Sequence, residues 1–161
     1  MKQTIQAEAD TTASSCSTLN IGSEAVGKDG FILSQYTCVG ANITPPLDIG
    51  GIPKDAKSLA IIMDDPDAFS GNWVHWIAWN IPVLSHLKEA RQMEEQGMND
   101  LHQKRYDGPC PPHGRPHHYH FKVYALDSLL HLSGNTTKSE LEQAMEGHIL
   151  AFGEMVALYK R

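Results

Sequence analysis

No apolar run in this 161-residue chain approaches the ~20 residues that a membrane-spanning helix needs. Integral membrane association is therefore not expected. Basic residues are also short: 13 Lys and Arg against 19 Asp and Glu leave a formal charge of −6, and no Lys/Arg run exceeds two residues. That balance argues against nucleic acid as a main partner and against attraction to anionic lipid. Cysteine is sparse and odd in number, at positions 16, 38 and 110. Such a set suggests neither a disulfide framework nor, without a CxxC pair, a structural zinc site. It predicts a reducing, cytoplasmic setting and no cofactor. There is no internal repeat and no long linker. The first 17 residues are polar, rich in Thr, Ser and Ala, and lack a signal-like apolar stretch. They are expected to be a flexible N-terminus.

What remains is one domain's worth of chain, expected over residues 18–161, with 41% hydrophobic residues to build a core. Strand signals dominate. Residues 31–39 make a moderate candidate. Residues 57–63 are nearly continuously apolar and stop at Asp64-Asp65-Pro66, as a strand buried on both faces would. Residues 73–81 carry Trp at 73, 76 and 79. That spacing of three invites a helix, but Gly71-Asn72 before it and Pro82 after it favour a strand. Residues 119–126 and 153–159 complete the set. A helix is predicted over 139–151, where Thr137/Glu140 and Ser139/Glu142 both have capping-box spacing. Leu141, Ala144, Met145, His148 and Phe152 would form its apolar stripe. A second helix is predicted over 84–96 with Ser85 as cap. The fold class is mainly β: a largely antiparallel domain with a few peripheral helices.

Two segments concentrate the chemistry. Residues 64–82 run Asp-Asp-Pro-Asp-Ala-Phe-Ser-Gly-Asn-Trp-Val-His-Trp-Ile-Ala-Trp-Asn-Ile-Pro. Residues 106–126 run Tyr-Asp-Gly-Pro-Cys-Pro-Pro-His-Gly-Arg-Pro-His-His-Tyr-His-Phe-Lys-Val-Tyr-Ala-Leu. Each joins carboxylates or imidazoles to a Pro/Gly turn beside an apolar strand. Strand parity puts His117 and Tyr119 on one face with Phe121, Val123 and Ala125, and turns His118, His120 and Lys122 to the other, toward water. By the same parity His75 shares a face with Trp73, Ile77, Trp79 and Ile81. A buried imidazole there needs a partner, which Asp65 or Asp67 can supply. Fixed in this way, the imidazoles would keep their other N–H pointing into a pocket. Gly108 and Gly114 would let the backbone approach a ligand, and Pro109, Pro111 and Pro112 would stiffen the rim.

The first segment resembles the Asp-Pro-Asp-Ala-Pro and His-Trp signature of the phosphatidylethanolamine-binding protein family. That family includes the Raf kinase inhibitor proteins and the plant flowering-time regulators. The second segment is similar to its Gly-Pro-x-Pro-Pro-x-Gly-x-His-x-Tyr signature. The resemblance runs from about Tyr36 to the C-terminus. Gly147-His148-Ile149-Leu150-Ala151 and Tyr159 suit the compact bacterial-type members. It implies a large central antiparallel sheet, a smaller second sheet, and peripheral helices including a C-terminal one near the ligand site. Carried over by motif, its anion pocket falls on Asp65, Asp67, His75, Gly108, His117 and Tyr119. This chain departs from the pattern at Phe69, where the family has Pro, at His118, where Arg is frequent, and at Ile49, where Trp is common.

The expected function is thus a binding module for a phosphate-bearing group, a phosphoethanolamine-like lipid headgroup or a phosphorylated residue. No catalytic residue is assigned. The resemblance implies a phosphate-containing small molecule or phosphoprotein as partner, with modulation of a kinase or protease; a homodimer is compatible with the sequence. Two other readings compete. Cys110 with His117 and Asp67 could form a thiol hydrolase. His113, His117, His118 and His120 could hold a metal, although parity splits them between two faces.

Overall fold

The computed structural model describes residues 16–161. The expected flexible segment lies outside the described residues as far as position 15; Ser17 already belongs to a strand. The described elements are strands β1 (Ser17–Thr18), β2 (Asn20–Gly22), β3 (Leu47–Gly50), β4 (Ser58–Asp65), β5 (Trp73–Ile81), β6 (His86–Leu87), β7 (Glu95–Gln96), β8 (His117–Leu126) and β9 (Ile149–Tyr159). One α-helix, α1 (Lys138–Met145), precedes β9, and a short 3-10 turn spans Ser34–Tyr36.

Six strands form the large sheet in the order β1-β9-β8-β4-β5-β7. All its pairs are antiparallel except β1 with β9. β2, β3 and β6 form a smaller antiparallel sheet. The small sheet covers one face of the large one. Leu19, Leu47, Ile49 and Leu87 share a core there with Leu59, Ile61, Met63, Phe121 and Val123. On the opposite face Leu141 and Met145 of α1 pack with Ala60, Ile62, Ile77 and Trp79. β4 is central, between β5 and β8, so all eight of its residues are buried. Its odd residues meet the small sheet and its even residues meet the helix layer. The continuous apolar run is the consequence of being covered on both sides. Asp64 continues the even set at its end; its carboxylate takes Lys122 Nζ at 3.1 Å and Lys138 Nζ at 3.0 Å, tying α1 to the sheet.

The strands expected over 57–63, 73–81 and 119–126 are present with nearly those limits. Other expectations need correction. Residues 31–39 do not form a strand. Phe31 and Ile32 make isolated bridges, and the Ser34–Tyr36 turn then redirects the chain. The helix predicted over 84–96 is replaced by β6 and β7, because this segment must cross from the small sheet to the edge of the large one. Ala90 sits at φ 53 within it, a conformation no helix interior accepts.

The helix predicted over 139–151 ends at Met145. Thr137 and Glu140 do form the reciprocal capping box. Gly147 then adopts φ 78, and residues 149–151 pair with β8 instead. His148 and Phe152 matched the stripe only by spacing. Among the described residues the peripheral helices implied by resemblance thus reduce to α1, which is followed by the last strand and packs on the face opposite the small sheet.

Cys38 and Cys110 form a disulfide across 72 residues of sequence, with Cα atoms 5.4 Å apart. This overturns the reading of the cysteines as unpaired. Sequence spacing carried no hint of it, since the two loops meet only through the sheet. Cysteine usage therefore no longer argues for a reducing compartment. Cys16 is free and exposed.

Candidate functional site

Three strand ends and three loops build one cavity of ≈ 610 Å³, within the usual range for small-molecule sites. β4 delivers Asp65, the next odd residue after Met63, to the small-sheet face. β8 starts alongside it with His117 and Tyr119, both buried on that same face. β5 contributes Trp73 and His75. The loop before β8 supplies Asp107, Cys110, Pro111 and Pro112, and the earlier loop supplies Cys38.

His75 reaches this face through a β-bulge. Met63 pairs with Trp76 but Asp64 pairs with Val74, so His75 is the extra residue on β5. Bulges re-aim side chains in this way. Simple parity had placed His75 with Ile77 and Trp79. Those two belong to the helix-side core, whereas His75 packs edge-on against Tyr119 with ring centroids 5.3 Å apart. Plain alternation sends Trp76 and Trp79, three residues apart, to opposite faces, and the neighbouring slip, where Leu59 pairs with Ile81 and Ile61 with Ala78, returns Ile81 to the small-sheet core.

At the base of the cavity the carboxylate and the Nδ1 atom of each imidazole are hydrogen-bonded. His117 Nδ1 donates to Asp65 Oδ2 at 2.7 Å, and Asp65 Oδ1 accepts the Asp67 N–H at 2.8 Å. Both carboxylate oxygens of Asp65 are thereby engaged. His75 takes a different partner from the one expected. Its Nδ1 lies 2.6 Å from the Asp107 backbone carbonyl, and the Asp107 N–H donates back to the His75 carbonyl. A carbonyl can only accept, so Nδ1 carries the proton. In the neutral ring Nε2 is then a lone pair. The expectation that a second N–H points inward fails on this point: each Nε2 becomes a donor only when its ring is protonated. Burial holds His75 below the ordinary imidazole value, with the Asp107 carbonyl bond pulling the other way. Burial also pushes the Tyr119 phenol well above its usual range, so it stays a donor.

Of the six residues carried over by motif, Asp65, His75, His117 and Tyr119 converge on the cavity. Asp67 does not. It turns outward and accepts from both His118 N and His118 Nδ1, at 2.8 and 2.7 Å, and these bonds hold its carboxyl below the ordinary value. It borders a neighbouring cleft with Phe69, His113 and Arg115. The Gly108 N–H is also spoken for, donating to Asn42 Oδ1 at 2.7 Å. A Cβ there would lie 2.2 Å from the Tyr36 carbonyl, so this glycine admits a neighbouring loop and not a ligand. His118 is exposed as parity required. His120 is half-buried beside Glu154 and not largely in solvent, because its cross-strand neighbours on β4 and β9 cover it.

Sequence reasoning missed Asp107 and Asn42. Asp107 positions His75 through its main chain, which no side-chain pattern reveals. Asn42 holds both Gly108 N and, through Nδ2, Asp107 Oδ1 at 3.1 Å. The upper walls are apolar: Ala68, Phe69, Trp73 and Leu101 face Pro111 and Pro112. Phe69, at the position where a proline had been the pattern, is fully exposed at the mouth.

The disulfide forms part of the wall, so Cys110 offers no free thiol to a nucleophilic mechanism while it is closed. The histidines of residues 113–120 do not converge on a metal either. His117, His118 and His120 each engage a different carboxylate, and among the described residues no group of three or more His, Cys, Asp and Glu is arranged to hold an ion. No helix among the described residues is long and apolar enough to cross a membrane.

Residues 22–160 match the family profile described as phosphatidylethanolamine-binding protein. A UPF0098 protein of Pyrococcus abyssi is 52% identical over 149 residues, covering 86% of this chain and 84% of that one. A UPF0098 protein of Methanothermobacter thermautotrophicus is 44% identical over 151 residues, covering 89% and 99%. Among solved structures, a phosphatidylethanolamine-binding protein homologue from Chlamydia trachomatis superposes with a TM-score of 0.83 at 38% identity, over 89% of this chain and 98% of that one. Escherichia coli YbcL, described as a member of the mammalian family, superposes with 0.81 at 27% identity, over 90% and 99%.

Proposed function

The chain belongs to the phosphatidylethanolamine-binding protein family, and we propose from that premise that it binds the anionic tip of a larger molecule in the cavity between β4, β5 and β8. One observation carries this reading. His75 and His117 have Nδ1 fixed by acceptors and both line the same cavity, while the carboxylate beneath them is fully engaged. An uncompensated carboxylate would repel a phosphate. Asp65 instead has its two oxygens taken by the His117 ring and by the Asp67 N–H. Protonated imidazoles and the Tyr119 phenol then supply charge-assisted donors to a phosphate. The apolar walls suit the remainder of the ligand, whether a lipid headgroup or a phosphorylated residue.

The reading is of a binding protein without catalysis. The competing thiol-hydrolase reading loses its nucleophile to the disulfide, and the metal reading loses its convergence. Modulation of a kinase or protease is the finer part of this proposal, and family membership supports it. Exposed Phe69 and Leu101, which line the cavity, would give such a partner an apolar rim to cover. A cytoplasmic location requires a cytosol in which the Cys38–Cys110 bond persists, as it does in hyperthermophiles.

Calorimetry with phosphoethanolamine tests the proposal. His117→Ala should cost about 1.5–3 kcal/mol of affinity, the range for a hydrogen bond to a charged group. His120→Ala, on the other face of β8, should cost little. Equal losses at both positions, or no binding by the wild type, would refute the assignment.

A further inference from the structure

Cys38 and Cys110 both line the cavity, so their bond faces the same space as His75, His117 and Tyr119. Cys110 is exposed and Cys38 half-buried. Exposed disulfides are the ones that exchange with thiols, whereas enclosed ones are inert. This bond also stands close to an imidazole. The Asp107 carbonyl holds His75 Nδ1 at 2.6 Å, and Cys110 follows Asp107 by only three residues. Three residues of chain span at most roughly 11 Å even when fully extended. Pro111, Pro112 and Ala68 line the rest of the space, a fit for a short methylene stem.

Opening the bond would not scatter the two sulfurs. Cys38 N donates to the Pro109 carbonyl at 3.1 Å, and Tyr106 Oη donates to the Tyr36 carbonyl at 2.7 Å. These bonds pair the same two loops beside the disulfide. In a chain of net charge −6, an anionic thiol is repelled on average. A cavity that takes anions reverses that preference at this one bond.

We infer that Cys38–Cys110 is an exchangeable disulfide whose partner the cavity selects: a small thiol that carries a phosphate-like oxyanion. The inference rests on the anion-binding reading above. The oxyanion meets His75, His117 and Tyr119 while the thiolate attacks Cys110 Sγ, the more exposed sulfur. A bond forms between those two sulfurs as the Cys38–Cys110 bond breaks, and Cys38 leaves as a thiolate that takes a proton from water. A second thiol then attacks the sulfur of the first, and Cys110 leaves and is protonated in turn. Two thiols have become one disulfide, and the protein has gained two thiols. The protein is a reactant in this exchange and not a catalyst.

The test compares how fast mercaptoethanesulfonate and mercaptoethanol open the disulfide in the folded full chain. Each rate is divided by that of the same thiol with bis(hydroxyethyl) disulfide, which removes differences in intrinsic reactivity. Cys16→Ser takes the third, exposed thiol out of the reaction. Freed cysteines are alkylated and counted by mass spectrometry. The sulfonate should be at least about tenfold faster, the worth of one charged hydrogen bond. Sodium sulfate should abolish that advantage, whereas sodium chloride at the same ionic strength should not. His117→Ala should abolish it too, and His120→Ala should keep it. Equal normalised rates, a slower sulfonate, or an advantage that survives either sulfate or His117→Ala in folded protein would overturn the inference. The sulfate arm keeps every native cavity side chain, so it decides the matter should His117→Ala fail to fold. Calorimetry with phosphoethanolamine on the same protein separates the two readings. Binding there without a charge preference in the exchange overturns this inference alone; no binding overturns the function proposed above and this inference with it.

Discussion

At the scale of single residues, the chemistry turns on where protons sit. Because Nδ1 of His75 faces a carbonyl and Nδ1 of His117 a carboxylate, neither ring offers a donor to an anion until it is protonated. Anion binding should therefore take up protons. Sulfate is the useful probe, since it does not itself titrate near neutral pH. Its affinity should rise as pH falls. Burial lowers His75, so the part of the rise due to that ring should come below the ordinary imidazole value of about 6.5. The sign for stability is the opposite. Without anion, the unfolded chain protonates this histidine near 6.5 while the folded one does not, so stability falls as pH drops from there toward the lowered folded value, and then levels off. Calorimetry in buffers of different ionisation enthalpy measures the proton uptake directly. Zero uptake, or affinity that climbs with pH, would contradict the tautomers assigned here.

Among elements, the loop before β8 matters most, for it supplies Asp107 and one wall of the cavity. It is tied down at several points. Tyr106 Oη donates to the Tyr36 carbonyl, Gly108 N to Asn42, Cys38 N to the Pro109 carbonyl and Arg161 Nε to the Pro111 carbonyl. The Cys38–Cys110 bond is the covalent member of this set. Closing a loop of 72 residues should stabilise the fold by about 4 kcal/mol on the chain-entropy account. Reduction by a dithiol, or the Cys38→Ser/Cys110→Ser pair, should lower the unfolding free energy by that order in urea titration. Phosphoethanolamine affinity should drop with it, since Pro111 and Pro112 lose their anchor. Unchanged stability after confirmed reduction would show that the hydrogen bonds alone hold the loop.

On the scale of the whole molecule, the large sheet is one wall shared by two cores. Strand β4 contributes alternate residues to each, and β5 places Trp76 in one core and Trp79 in the other. Neither layer can open without exposing the same central strands. Urea unfolding followed by tryptophan fluorescence and by far-ultraviolet circular dichroism should therefore give coincident transitions. Separate midpoints would mean that the small sheet or the helix layer detaches by itself. The proposed anion site lies at the end of these central strands, and a site on a packed sheet keeps the ordering cost of binding low.

Local pattern was enough for much of this. The apolar run ending at Asp64, the turn residues around 73–81, the parity that separates His117 from His118, and the Thr137/Glu140 capping box all reappear in three dimensions, because each depends on neighbours within a few residues. The convergence of Asp65, His117 and Tyr119 was legible for the same reason: they stand at the ends of two adjacent strands with matching parity. Other features were decided only by the tertiary structure. The bulge that turns His75 into the cavity exists because β4 and β5 do not keep step, and no property of β5 alone records that. The partner of His75 is a main-chain carbonyl, which every residue possesses. Residues 149–151 suit a helix by spacing but gain more from pairing with β8. The disulfide, and the turning of Asp67 away from the pocket, depend on which loops the sheet brings together. A sequence encodes its periodicities locally, whereas partners chosen across 30 to 70 residues are settled by the packing of the whole.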